Sequence, residues 1–202
     1  MQYIRDSRNG FFTLAMACLL TLPVSAAFSG EKYSIDAAHT TTEFAVRHMV
    51  ISTVKGSFPD VSGEIVYDEE DITRSTVDVR IKVASVNTNN DKRDEHLRSP
   101  EFFDAEKYPE ITFKSKKIEK NKEGHMLTGI LTIRDVSKEV TFPFELTGKV
   151  TDPWGSVRIG AEASLKINRQ EFGVAWNKVL EGGGLVVGND VKINISLEAV
   201  KK

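Results

Sequence analysis

Apolar residues recur at every second position in one segment after another, and this period of two restricts the fold more than any other feature of the chain. Val191, Ile193, Ile195, Leu197 and Ala199 alternate with Lys192, Asn194, Ser196 and Glu198. A strand turns successive side chains to opposite faces, so one face of such a segment is oily and the other wet. The pattern returns at Val77, Val79, Ile81 and Val83, at Val140, Phe142, Phe144 and Leu146, and at Ala161, Ala163, Leu165 and Ile167. Shorter strands are expected over 33–36, 40–50, 57–67, 110–118 and 124–134, with Pro59 and Gly63 bending or bulging the 57–67 segment. Nothing between them has the length of a helical crossover, which makes the sheet antiparallel. The expected fold is all-β, a single closed barrel of about eight strands, whose interior has room for side chains or one slim ligand.

One short helix is expected near residues 90–98. Asn89 or Asn90 can cap it, Asp91, Asp94 and Glu95 suit its positive end, Arg98 suits its negative end, and Pro100 stops it. Leu97 is its one clear apolar residue, which fits a lid at the barrel's end better than a core helix. Ahead of the strands, Arg5 and Arg8 precede an uncharged apolar run from Phe11 to Leu22, followed by small residues at Ser25, Ala26 and Ala27. This is the grammar of a cleavable secretory signal over 1–27, and the run is too short to span a membrane. The chain is therefore expected in the periplasm or secreted, as one domain over 28–202.

Cys18 is the only cysteine. It lies inside the apolar run, so the mature domain has no disulfide, thiolate nucleophile or thiolate metal site. With 27 basic and 29 acidic residues the charge is nearly balanced, which does not suggest a nucleic-acid partner. The cluster Lys114, Lys116, Lys117, Lys120 and Lys122 reads as a solvated hairpin.

The central stretch is the most specific. Asn87 and Asn89 lead into Arg93, Asp94, His96 and Leu97, then Phe102, Phe103, Asp104 and Ala105, then Tyr108 and Pro109. Asp36, His39, Phe44 and His48 near the start, Leu131 to Lys138, Asn168 to Asn177, and Val187 to Ile193 add further ordered matches. Together these resemble the YceI-like family of exported proteins over about Tyr33 to Val200. The resemblance implies an extended lipocalin-like antiparallel barrel that holds a long isoprenoid or other lipid chain. Asn87 and Asn89 stand where that pattern has Asp and Gly, Thr42 replaces a branched apolar residue, and Asp135 replaces a turn glycine. Asn tolerates a left-handed backbone, so Asn89 can keep the turn; an inward Thr42 would make one patch of wall more polar.

Candidate ligand-binding residues follow from both readings: Phe44, Val46, Val79, Ile81, Phe113, Phe142 and Phe144 on strand faces, Phe102 and Phe103 after the helix, and Phe172 and Trp176 near the triple glycine Gly182 to Gly184, expected as a flexible loop at the mouth. His48, Asn87, Arg93 and Asn177 are the polar candidates for a headgroup. His39, His48, His96 and His125 lack zinc-motif spacing, and no nucleophile elbow or phosphate loop is present, so no metal, cofactor or catalytic residue is expected. The alternatives are a small enzyme using His39 or His48 as base, and a stress-related protein-interaction module. Pairing of two copies through a strand edge or the mouth is a further expectation. Burying about 20 methylenes at roughly 0.8 kcal/mol each outweighs an association cost of about 4 to 15 kcal/mol.

Overall fold

A computed structural model describes residues 30–122 and 124–202. The expected export signal over 1–27, with Cys18, lies outside the described residues. The strands are β1 (Glu31–Ile35), β2 (Thr41–His48), β3 (Ser52–Ser57), β4 (Val61–Tyr67), β5 (Thr76–Lys82), β6 (Glu110–Asn121), β7 (Gly124–Ile133), β8 (Val136–Thr151), β9 (Val157–Asn168) and β10 (Val187–Lys201). All pair antiparallel in one sheet, in the order β1-β4-β5-β6-β7-β8-β9-β10-β2-β3, and β1 also pairs β10, which closes the ring.

The closure has a specific construction. Along one edge of β10, β1 occupies Ala199 to Lys201 and β2 occupies Val187 to Ser196, so β1 and β2 are two halves of one interrupted strand. Their partners β4 and β3 are likewise two halves of the next. The barrel therefore has eight wall positions, two of them broken, in agreement with the alternation. The break between β1 and β2 is stitched by Thr40, whose hydroxyl donates to the Glu198 carbonyl and accepts from the Glu198 N–H.

The strand Ser52–Ser57 was hidden from periodicity. Its inward positions carry Val54 and Gly56, and Gly56 lies opposite Phe44, with room for no side chain: an added Cβ would sit 2.5 Å from Phe44 Cζ. The Phe44 ring fills the space that an inward residue of β3 would otherwise take. Pro59 does fall at a strand break, but Gly63 sits in continuous register with Val79, because its role is close approach to the β5 backbone: a Cβ there would meet the Asp78 carbonyl at 2.2 Å. β8 starts at Val136, earlier than alternation suggests, since Arg134 (φ 56) rather than Asp135 takes the left-handed turn position. A bulge at Lys116 shifts the phase of β6, which is why Ile111 and Phe113 but also Ile118 face inward.

The helix α1 (Asp91–Arg98) forms where expected, and Asn90 is its cap, accepting from the Arg93 N–H at 3.0 Å. Asn89 takes the left-handed conformation (φ 58). Asp94 on the first turn is buried, and it accepts from the Thr88 N–H at 2.9 Å and from the Thr88 hydroxyl at 2.5 Å, which offsets the cost of withdrawing a carboxylate from water. The principal core cluster lies at this end, around Phe102, Phe172, Val83 and Val174; a smaller one around Tyr33, Ile65, Ile159 and Ala199 lies at the other.

Candidate functional site

The alternating faces do not fill the barrel with their own side chains. Inside the wall runs a cavity with about 270 Å³ open to the centres of water-sized groups, lined by residues of both core clusters and of a third around Ile118, Leu127 and Phe142. One such group needs about 10–15 Å³, so the space corresponds to roughly 20 water-sized groups. A methylene is about that size, and the cavity suits a hydrocarbon chain.

Phe44, Val46, Val79, Ile81, Phe102, Phe103, Phe113, Phe142 and Phe144 all line it. Aromatic rings pack in two groups along it: Phe58, also on the lining, lies 5.5 Å from Phe44 and 5.6 Å from Phe103, and Phe113 lies 5.5 Å from Phe142, between centroids. Leu97 of α1 also reaches the cavity, so the helix does close one end. Sequence reasoning missed Tyr67 and Ile72 at the far end, and the small residues Gly160, Ala161 and Ala163 of β9, whose short side chains leave the space open.

The lining surface is almost wholly apolar. Thr42 faces inward, yet it does not make the wall polar, because its hydroxyl is spent on the Phe58 carbonyl at 2.6 Å. The four polar headgroup candidates lie off the lining, and the side chains of three of them are held by the protein itself. Asn87 is bridged to Ser57, and its side-chain oxygen accepts from the Asn89 N–H. Arg93 donates to the Thr88 hydroxyl and carbonyl at 2.7 and 2.8 Å. Asn177 binds the Val187 backbone, and His48 ends β2 opposite Val187. Phe172 is a core residue, 2 % exposed, and Trp176 packs outside the cavity against Phe102 and His96 at 5.2 and 5.1 Å. Amides and guanidinium groups at strand ends look alike in sequence whether they meet a ligand or orphaned backbone.

One such arrangement shapes the cavity's end. The pairing of β10 with β2 breaks between Val187 and Val191, where Gly188 to Asp190 bulge away from the ladder. The carbonyls freed by the bulge are taken up by Arg169, which is 5 % exposed and lines the cavity with its stem: Nε donates to the Gly188 carbonyl at 2.8 Å and Nη2 to the Val187 carbonyl at 3.3 Å, while Nη1 donates to Val174 at 2.6 Å. Burial lowers its pKa, though a guanidinium stays charged. The Asn189 side-chain oxygen in the same bulge is buried without a partner. Gly182 to Gly184 form the tip of a small hairpin beside it, closed by the Val179–Leu185 bridge and the Leu180 N–H to Gly184 carbonyl bond.

Asp36, His39 and Glu198 bring three ligand atoms within 4.8 Å of one another at the β1–β2 break. The place between the carboxylates is taken by Arg158, whose Nη1 donates to Asp36 at 2.8 Å and to Glu198 at 2.5 Å, while Nε donates to Asp152 at 2.8 Å. His39 donates from Nδ1 to Asp36 at 2.9 Å, and neither His39 nor His48 lines the cavity. His96 pairs with Glu101 at 2.6 Å.

Comparison with known proteins matches this geometry. The family model of the YceI-like domain covers residues 33–199. A UPF0312 protein of Serratia proteamaculans is 36 % identical over 188 residues, covering 93 % of this chain and 95 % of the relative. The crystal structure of the Campylobacter jejuni YceI protein is 37 % identical, with a TM-score of 0.64 over 77 % of this chain and 90 % of that one. A polyisoprenoid binding domain from Saccharophagus degradans shares the fold at 15 % identity, with a TM-score of 0.64 over 84 % of this chain and 98 % of its own.

Proposed function

This chain belongs to the YceI-like family, and we propose that its barrel sequesters or carries a long-chain isoprenoid or related lipid, a polyprenyl, quinone or fatty chain, in the periplasm or outside the cell. The observation that carries this reading is the apolar cavity: a wall with almost no polar surface binds a hydrocarbon chain by excluding water. The fold shared with the polyisoprenoid binding domain of Saccharophagus degradans supports the same class of ligand. Since Asn87, Arg93 and Asn177 are already engaged within the protein and the lining is apolar, the hydrocarbon tail sets affinity and the headgroup stays near solvent. The protein acts as carrier, store or scavenger.

Native mass spectrometry of the purified protein, with solvent extraction and lipid analysis, tests the proposal. A prenyl or quinone lipid is expected to co-purify or to be taken up on incubation. A protein that is repeatedly empty after mild purification and takes up no prenyl lipid overturns it.

A further inference from the structure

Among the described residues the large apolar side chains left in water fall at two places, Val150 and Trp154 by the β8–β9 turn and a larger group, with Met49, at another. Val50 and Ile51, in the turn between β2 and β3, are 62 % and 81 % exposed, and Val179 in the neighbouring hairpin is 77 % exposed. The two loops form one tip: the Met49 N–H donates to the Val186 carbonyl at 2.8 Å, and Gly184 lies between Val50 and Leu180. Met49 and Val50 both hold left-handed backbone (φ 51 and 66), which is costly for any residue with a side chain and most of all for β-branched Val50. Strain and exposure together at one tip are not explained by stability.

Directly behind the apolar tip the outer wall is basic. On adjacent strands, Lys166 lies opposite Lys192, Lys192 opposite Ala45, and Ala45 opposite Lys55. Lys166 pairs with Asp190, whereas Lys192 and Lys55 have no carboxylate within ion-pair distance among the described residues. Arg47 sits between them and the tip, held by the Val50 carbonyl. Farther along the same outer wall the sign reverses, with Glu43, Glu145 and Glu162 on β2, β8 and β9. The tip also adjoins the cavity, for Val46 and Val187, which line it, flank the break in the β2–β10 ladder.

We propose that this tip docks on an anionic lipid bilayer, with Val50, Ile51 and Val179 entering the interface and Lys55, Lys192 and Arg47 meeting the headgroups. Apolar tip, cationic collar and acidic waist succeed one another along the barrel, so an anionic surface attracts this end and repels the middle. Docking sets the bulged part of the wall against the membrane, where a lipid tail passes between bilayer and cavity. The proposal extends the carrier reading by naming where the lipid is exchanged.

Flotation with vesicles of equal parts phosphatidylglycerol and phosphatidylethanolamine, against phosphatidylcholine alone, tests it. The protein is expected to float with the anionic vesicles, less so as salt rises above about 0.15 M. Val50→Ser with Ile51→Ser lowers binding at least about tenfold, and Lys55→Gln or Lys192→Gln about fivefold each. Trp154→Ser, which alters an exposed residue on the β8–β9 turn, leaves it unchanged. Absence of vesicle binding, binding indifferent to both sets of variants, or a dimer lost with Ile51→Ser in place of vesicle binding overturns the proposal. Uptake of prenyl lipid from detergent micelles, measured on the same samples, separates the two readings. Uptake without docking rejects the docking surface alone, and docking without uptake rejects the carrier alone.

Discussion

Asn177 completes the backbone of Val187 from both sides: its Nδ2 donates to the Val187 carbonyl at 2.7 Å, and its Oδ1 accepts the Val187 N–H at 3.1 Å. The side-chain amide thus stands in for a strand partner at the point where β2 and β10 part. Asn177→Ala leaves the Val187 N–H unpaired in a half-buried place and its carbonyl with only the longer bond from Arg169 Nη2, and is expected to cost about 1–3 kcal/mol in urea denaturation. Lipid uptake at a temperature where the variant is folded stays near normal, since Asn177 does not touch the cavity.

Ala163 lies on the cavity wall between Phe144 and Ile195. Ala163→Phe puts a ring into space meant for ligand, without removing any polar contact. Its thermal midpoint is expected to move by only a few degrees, while uptake of a prenyl lipid, read by fluorescence displacement, falls about tenfold or more.

Gly56→Ala has the opposite character. The added Cβ would meet Phe44 Cζ at 2.5 Å and the Asn87 carbonyl at 2.9 Å, and the second of these is backbone that cannot swing aside. A loss of about 1–3 kcal/mol is expected in denaturant titration. Phe44→Leu, which frees the ring's space, is expected to recover part of that loss in the double variant.

Asp36 ionises at about 2, below its ordinary 3.8, first because His39 donates to it and then because Arg158 does. The fold therefore favours the charged form. That contribution is full above about pH 3.8 and disappears as pH falls towards about 2. Arg158→Met is expected to raise the midpoint of acid unfolding by roughly one pH unit, with His39→Gln moving it the same way by less. Circular dichroism across an acid titration measures both.

Alternation made the wall legible because a closed antiparallel sheet with one wet face must repeat apolar residues at every second position, as β5, β9 and β10 do. It failed where one side chain occupies the place of another. Gly56 shows no inward residue because Phe44 covers it, so β3 left no trace. The greasy part of the site was readable for the same reason the fold was: Phe44, Val79, Phe113 and Phe142 lie on faces that point inward whatever the ligand. The polar part was not, since the partners of Asn177 and Arg169 are carbonyls brought near by a bulge that no spacing announces. Arg169 was visible only as one member of the Asn168 to Asn177 motif.

The broken strand formed by β1 and β2 also governs the order in which the molecule can be assembled. Its partner is β10, so the seam joins the first strand of the domain to the last, and Ser34 meets Val200. Until β10 is synthesised, the sheet is an open ribbon with two bare margins, each a template for misplaced pairing. Its oily concave side is then wet as well. Sealing is thus the latest event in the life of the nascent chain, and the interval before it is when a chaperone has most to protect.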